Sequence, residues 1–205
     1  MYDKKVQKEY FEGNKMIRIS TKKGDRGETE LANGKRQLKS DLIFQVIGDL
    51  DELNSWLGLL VSTASLQPKK YRAQLDLLKK MQEALFVISA ELVGASKGTQ
   101  KIRVDASFLT YLEGLSDQMQ RQLASGWHQR FLYPGGVPLA AYADLARTVC
   151  RRAERSLVAL SQKQSIRPVI LALCNRFSDY LYLLRCFANQ QEKHQEVEFE
   201  VKQNN

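Results

Sequence analysis

Five times between residues 42 and 184, leucine and its apolar relatives return every three or four positions. An α-helix turns once in 3.6 residues, so this spacing lines one face with apolar side chains and leaves the other to water. The first run holds Leu42, Val46, Leu50, Leu53, Leu57 and Leu60. The second holds Leu78, Met81, Leu85, Ile88 and Leu92, ending near Gly94. The third begins beyond Asp105, an N-cap residue type, and carries Leu109, Leu112, Leu115, Met119 and Leu123 to a stop near Gly126. The fourth follows the turn residues Pro134–Gly136 and steps through Leu145, Val149, Ala153 and Leu157. The fifth opens at Pro168, which suits a first helical turn, and buries Leu173, Phe177, Leu181 and Leu184. Long amphipathic helices on short connections predict an all-α fold, an antiparallel five-helix bundle.

No Gly/Ser linker divides the chain, and 205 residues with 43% hydrophobic composition suffice for one core. The bundle domain is expected over 17–190, with an extension at 1–16 and a polar tail at 191–205. Within it, residues 17–40 carry Gly24, Gly27 and Gly34 among polar and basic residues. They read as an ordered loop, with a short strand at Ile17–Ser20. Residues 1–40 hold 11 basic and 6 acidic side chains, a large share of the formal net charge of +8. Such a bias suits a polyanion: nucleic acid, an acidic membrane surface or a triphosphate. Basic residues are not interleaved with aromatics as single-strand binders require, and no apolar run approaches the ~20 residues that span a bilayer. The first residues lack the apolar core of a secretion signal. Cys150, Cys174 and Cys186 form no CxxC pair, and His128 and His194 stand apart. Buried, reduced thiols in a cytoplasmic protein are the expectation.

Polar stripes carry the candidate chemistry. Arg147, Arg151 and Arg155 recur at four-residue steps, with Arg152 and Glu154 beside them, on the side of their helix away from Val149 and Ala153. Asn175 and Asp179 lie opposite Leu173 and Phe177, and Asp51, Asn54 and Ser55 form a polar strip on the first helix. These are either three solvated faces or one site assembled between subunits. The loop Thr21-Lys22-Lys23-Gly24-Asp25-Arg26-Gly27-Glu28-Thr29 offers glycine backbone and basic side chains to an anion, without being a Walker A loop. On its own it reads equally as an ordinary surface loop.

Taken in order, KGDRGET at 23–29, Lys39 with Asp41, GDLDELNSWLG at 48–58, FLYPGG at 131–136, ARTVCRRAER at 146–155 and NRFSDYL at 175–181 form a specific set. The set resembles the PduO-type corrinoid adenosyltransferases, with their TGDxGxT loop, DELNS helix, PGG turn, RxxxRRAER and NRxSDxLF motifs. The resemblance covers about residues 17–190. Lys23 stands where the family usually has threonine, Glu28 is a further loop departure, Ala32-Asn33-Gly34 replaces LGG, and the last motif ends in Leu-Tyr. These departures bear on nucleotide affinity and metal dependence.

The resemblance implies transfer of the 5′-deoxyadenosyl group of ATP to cob(I)alamin, with release of triphosphate. The nucleophile is then cobalt itself, and the protein's work is alignment and charge neutralisation. It implies ATP contacts from Thr21, Lys22, Lys23, Gly24, Asp25, Arg26, Thr29 and Lys39, and from Arg151, Arg152, Glu154, Arg155 and Asn175. Asp51 would pair with Arg147 of a neighbouring subunit. Phe131 would lie under the corrin, keeping the lower face of cobalt free of ligand, and Asp51 and Asp179 would join it on the cobalamin side. The implied catalytic set is Phe131, Asp51, Arg147 and Arg151. ATP and cobalamin enter as substrates, and Mg²⁺ is carried mainly by the ATP phosphates, with no protein ligand assigned. A homotrimer with intersubunit active sites, a flavin-dependent reductase and an adenosylcobalamin-dependent enzyme as recipient complete the implied partners. Nucleic acid and membrane are not among them. The rival readings are a non-catalytic carrier or sensor that binds ATP or adenosylcobalamin, and a bundle that serves only as scaffold for a basic N-terminus.

Overall fold

The computed structural model describes residues 22, 24–31, 34–97, 99–129 and 131–199. The expected strand at 17–20, the extension at 1–16, Thr21 and Lys23 lie outside the described residues. Five helices dominate: α1 (Leu42–Ala64), α2 (Arg72–Leu92), α3 (Ser107–Gln120), α4 (Pro138–Ser161) and α5 (Pro168–Gln191). The glycine-bearing segment before α1 folds into an antiparallel hairpin, β1 (Glu28–Glu30) and β2 (Arg36–Leu38), with Thr29 opposite Gln37. A second, smaller hairpin, β3 (Ser96–Lys97) and β4 (Gln100–Lys101), follows α2.

The helices form an up-and-down array in which α4 packs against both α1 and α5, α2 covers α1, and α3 covers α5. Side-chain pairs fix the directions. Glu91 near the end of α2 meets Arg167 just before α5, while Lys70 and Tyr71 just before α2 meet Glu192 just after α5. Those two helices are therefore antiparallel. Cys150 and Asp144 of α4 meet Cys174 and Arg185 of α5 in the same opposed sense. By contrast α3 runs along α5 in the same direction, Glu113 facing Arg176 and Gln122 reaching Gln190.

The core follows the sequence rhythm closely. Val46, Leu50, Leu53, Leu57 and Leu60 of α1, Leu78, Met81 and Ile88 of α2, and Leu173, Phe177, Leu181 and Leu184 of α5 are all fully buried. Helix α2 closes where expected: the amide of Gly94 donates to Glu91 O and that of Ala95 to Ala90 O, the paired bonds of a Schellman end.

Four local expectations are corrected. Leu145 is 45% exposed and belongs to the outer face; the buried stripe of α4 runs through Ala140, Ala143, Ala146, Cys150, Ala153 and Leu157. Small residues dominate there because α4 is clasped between two helices, and bulk on that stripe would push them apart. Helix α3 stops at Gln120 and not near Gly126; a run of turns carries the chain on to Trp127. Leu109, Leu115 and Leu123 are only partly buried, because α3 packs on α5 from one side alone. Asn54 is buried, 7% exposed, while its strip-mates Asp51 and Ser55 are exposed. Finally, the cap position of α3 is Ala106 and not Asp105; the Asp105 carboxylate, one residue earlier, accepts the Ser107 amide at 2.9 Å, and that bond holds its pKa below the usual carboxylate range.

Candidate active site

Helix α4 presents Arg147 and Arg151 one turn apart, and both line a cleft of about 710 Å³ between α3, α4 and α5. Asp117, Trp127, Asp179 and Tyr182 line it as well. Two carboxylates in the cleft are already engaged. Arg176 Nε donates to Glu113 Oε1 at 2.9 Å, and its Nη1 lies 3.7 Å from Asp179 Oδ2. Arg147 keeps 26% exposure, with Nε 3.6 Å from the largely buried carboxylate of Asp144. The Arg151 guanidinium has no ion-pair partner among the described residues, and its side of α4 is exposed. The cleft therefore combines one uncommitted cation, a second on a long pairing, the carboxylate of Asp117, and the aromatic rings of Trp127 and Tyr182. That is a surface suited to a large ligand with both anionic and flat apolar parts.

The remaining members of the arginine-rich run have other contacts. Arg152 Nε donates to Asp49 Oδ1 at 3.0 Å, and Nη2 bonds Glu52, so this side chain clamps α4 to α1. Ser156 Oγ donates to Asp49 Oδ2 at 2.6 Å in the same crossing. Glu154 Oε1 accepts Asn175 Nδ2 at 3.0 Å, joining two of the expected nucleotide contacts to each other across α4 and α5. Arg155 is exposed, its Nη1 donating to the carbonyl of Arg151 at 3.1 Å.

The basic loop forms a separate cluster. Gly24 to Gly27 make a turn with Asp25 and Arg26 exposed, and Thr29 is the middle residue of β1, opposite Gln37. Lys22 is exposed at φ 58, a left-handed conformation unusual for lysine. Lys39 packs its ammonium against Gly24 so closely that a Cβ on that glycine would sit 2.9 Å from Nζ. Its amide donates to Gly27 O at 2.8 Å. The hairpin shares a depression with Leu160, Lys163 and Gln164 beyond the far end of α4. At about 1.5 Å per residue, thirteen residues of helix put Leu160 roughly 20 Å along the axis from Arg147. Within one chain the hairpin thus adjoins the C-terminal end of α4, while the cleft opens at Arg147 and Arg151 in the middle of that helix.

Phe131 is 83% exposed, and its carbonyl accepts the Phe199 amide at 2.7 Å. The turn that follows is held by buried polar groups: Asp144 Oδ2 accepts Gly135 N–H at 3.1 Å, and Asn189 Oδ1 accepts Val137 N–H at 3.0 Å. Asp51 is exposed on α1 and meets Arg147 nowhere within the described chain. Of the expected site residues, then, the structure gathers Arg147, Arg151 and Asp179 in the cleft. It gathers Lys39 with Gly24, and Glu154 with Asn175, and keeps Asp51 and Phe131 apart from each group.

The reading of the sequence missed Arg176, Glu113, Asp117, Trp127 and Tyr182 as cleft residues. Arg176 and Tyr182 lay within or beside the NRFSDYL run and had a signal; Glu113 and Asp117 had none beyond being polar on an amphipathic helix. Cysteine chemistry is not supported. Burial pushes the Cys174 thiol up to about 12 and those of Cys150 and Cys186 upward as well, so none is a ready thiolate at neutral pH.

The family model for cobalamin adenosyltransferase matches residues 19–188. A cobalamin adenosyltransferase of Cupriavidus metallidurans is 37% identical over 178 residues, covering 87% of this chain and 91% of its own. A corrinoid adenosyltransferase of Bacillus subtilis is 31% identical, covering 90% and 93%. Among solved structures, a variant of the PduO-type ATP:corrinoid adenosyltransferase from Lactobacillus reuteri, complexed with cobalamin and ATP, superposes with a TM-score of 0.79. It is 28% identical, with 90% of this chain and 100% of that chain covered.

Proposed function

The chain belongs to the cobalamin adenosyltransferase family and is an ATP:corrinoid adenosyltransferase, and from that premise we propose that Arg147 and Arg151 serve the reaction at the cleft they line. The observation that carries this assignment is the pairing pattern there. Arg176 compensates Glu113 and Asp179, and Arg147 lies beside Asp144, which leaves Arg151 to meet an anionic substrate. In the reaction, cobalt(I) donates its electron pair to C5′ of ATP. The cobalt–carbon bond forms as the C5′–O bond breaks, and the pair from that bond leaves with triphosphate. The negative charge gathering on the leaving group is what Arg151, Arg155, Lys22 and Lys39 stabilise. Holding the two reactants in line is the other contribution, and no protein base or nucleophile takes part.

The nucleotide segment is the Gly24–Thr29 turn with Lys22 and Lys39, where a side chain on Gly24 would displace the ammonium. The hairpin that follows this segment adjoins the C-terminal end of α4 and shares no lining residue with the cleft, so a complete site takes the loop of one subunit and the cleft of another. The assembly is a homotrimer in which exposed Asp51 of one subunit pairs with Arg147 of the next. Arg155, Glu154 and Asn175 form the part of α4 and α5 nearest the incoming nucleotide, and Arg152 supports it by fixing α4 on α1. Phe131, almost wholly exposed, covers the lower face of the corrin and keeps cobalt(II) four-coordinate, which eases its reduction. Among the described residues no group of three His, Cys, Asp or Glu is placed to hold a metal ion. Mg²⁺ accompanies the triphosphate, carried mainly by its phosphates, with no protein ligand assigned. No described helix is long and apolar enough to cross a membrane. The working setting is the cytoplasm, with a flavin-dependent reductase supplying electrons and an adenosylcobalamin-dependent enzyme receiving the product.

Steady-state kinetics with varied ATP test the assignment. Arg151→Ala should lower kcat/KM for ATP by roughly 10- to 100-fold, the worth of a charge-assisted hydrogen bond to the transition state, with the helical circular dichroism unchanged. A loss smaller than about twofold would remove Arg151 from the site.

A further inference from the structure

Arg185 on α5 is 2% exposed, takes no part in the cleft, and yet gathers partners from three separate parts of the chain. Its Nε lies 3.3 Å from Asp144 Oδ2 on α4. Its Nη2 donates to the carbonyl of Tyr133 at 3.0 Å, and its Nη1 pairs with Glu196 Oε1 at 2.7 Å. The same Glu196 oxygen accepts Asn189 Nδ2 at 2.8 Å. Glu196 comes from the segment after α5, outside the helical bundle.

That segment is paired with the strand-like stretch that carries Phe131. The Tyr133 amide donates to Val197 O at 3.0 Å, the Phe199 amide donates to Phe131 O at 2.7 Å, and Leu132 faces Glu198 in an antiparallel bridge. The rings of Tyr133 and Phe199 meet edge to face at 5.8 Å. Two backbone bonds and one ring contact on an exposed surface hold little by themselves. The buried ion pair beneath them is different. Asp144 is shared between Arg185 and Arg147, so Glu196 is the second carboxylate on Arg185, and its departure strands a buried guanidinium short of charge.

We propose that Arg185 is a positioning residue for the adenosyltransferase reaction. Through Glu196 it latches residues 196–199 onto Phe131–Tyr133 and so fixes where the Phe131 ring is presented. The inference rests on the reading of Phe131 as the residue beneath the corrin. With the latch closed, the backbone of Phe131 is held at its carbonyl by Phe199 and, two residues on, by the Arg185 bond to Tyr133. With it open, the ring has no fixed seat, and cobalt(II) regains a lower ligand.

The test uses the full chain and the variants Glu196→Ala, Glu196→Gln and Phe131→Ala. Hydrogen exchange of peptides spanning 131–133 and 197–199, without substrate, should quicken about tenfold or more in Glu196→Ala, with the helices unaffected. With ATP and cob(II)alamin bound, the four-coordinate cobalt(II) resonance should weaken. Adenosylation begun from cob(II)alamin with a mild reductant should then fall about tenfold, while KM for ATP and the rate from preformed cob(I)alamin stay near native. A general loss of structure would lower all of these together. Should Glu196→Ala not fold, Glu196→Gln, which keeps the shape and removes the charge, carries the same expectations at smaller size. If Phe131→Ala itself keeps the four-coordinate signal, the lower-face reading has failed and the inference falls with it. If Phe131→Ala loses the signal while the Glu196 variants keep it and exchange as the native chain does, that reading stands and the latch alone is overturned.

Discussion

Replacing Gly136 by alanine should destabilise the protein far more than the same change one residue earlier. Gly136 adopts φ +109, and a Cβ built there would lie 2.5 Å from Asn189 Nδ2 and 2.6 Å from its Cγ, closer still to Oδ1. Asn189 is 1% exposed and cannot swing aside into solvent. To make room it must surrender its bonds to Val137 N–H, Gly135 O and Glu196. Three hydrogen bonds at about 0.5–1.5 kcal/mol each, with a left-handed residue adding about 1–3, give an expected loss of roughly 2.5–7.5 kcal/mol. Gly135 has φ +132 but nothing within 4 Å of its would-be Cβ, so Gly135→Ala should cost only the backbone part, about 1–3 kcal/mol. Denaturant unfolding of both variants measures the difference. For a chain of this size about 2–4 °C accompanies each kcal/mol, so Gly136→Ala should melt roughly 5–30 °C below the native chain. Equal losses in the two variants would show that the overlap with Asn189 is relieved by backbone movement and that the polar network does not hold the turn.

Two further outcomes are expected. Light scattering should give the mass of a trimer for the native chain, and Asp51→Ala should weaken that assembly and lower activity together; a fully active monomer would refute an intersubunit site. Cys150, Cys174 and Cys186 are buried, with thiols raised by desolvation first of all, so iodoacetamide at mildly alkaline pH should leave the folded protein unlabelled and mark all three once it is unfolded. Rapid labelling of the native chain, read by mass, would contradict the packing of α4 on α5.

The fold was legible because the 3.6-residue rhythm is a direct imprint of burial, and most positions picked for the cores of α1, α2 and α5 are fully buried. It misled at Leu145, where four-residue steps projected backward from Val149 drift off the buried stripe by about 40° per step. Near α4's start the core is alanine, a residue that periodicity counts weakly. The hairpins were not legible, since three-residue strands carry no alternation long enough to read. In the site, the charged residues of α4 were found, but their distribution was not: a sequence stripe cannot say that Arg152 turns to Asp49 while Arg151 stays open. Nor could it join Arg185 to Glu196, since α5's apolar run passes through that arginine with no mark of what neutralises it. A charged residue amid Leu183, Leu184, Cys186 and Phe187 was itself the signal that a buried partner had to exist.

Why so much specificity concentrates between Asp144 and Ser156 of α4 follows from its position. Packed between α1 and α5, it has two crossings to satisfy and only narrow outer faces left. Successive residues point about 100° apart, so neighbours in sequence meet different surroundings. Asp144 turns toward Arg185 and the glycine turn, Arg147 and Arg151 toward the cleft, Arg152 and Ser156 toward Asp49 on α1, and Glu154 toward Asn175 on α5. Each position is constrained by a different neighbour, and the chemistry of each contact restricts what can replace it. Arg152 reaches two carboxylates, Asp49 through Nε and Glu52 through Nη2, and a lysine with one compact ammonium cannot bond both along that fork. The adjacent arginines differ in what the same change removes. Arg152→Lys should lower thermal stability with little effect on the ATP concentration dependence, because it loosens the α1–α4 crossing. Arg151→Lys keeps a charge at the cleft and loses the planar donor pair, so its effect should appear in kcat/KM for ATP at nearly native stability. Two neighbouring arginines giving opposite pairs of effects would follow from helix geometry alone, whereas identical effects would mean that both side chains serve one ligand.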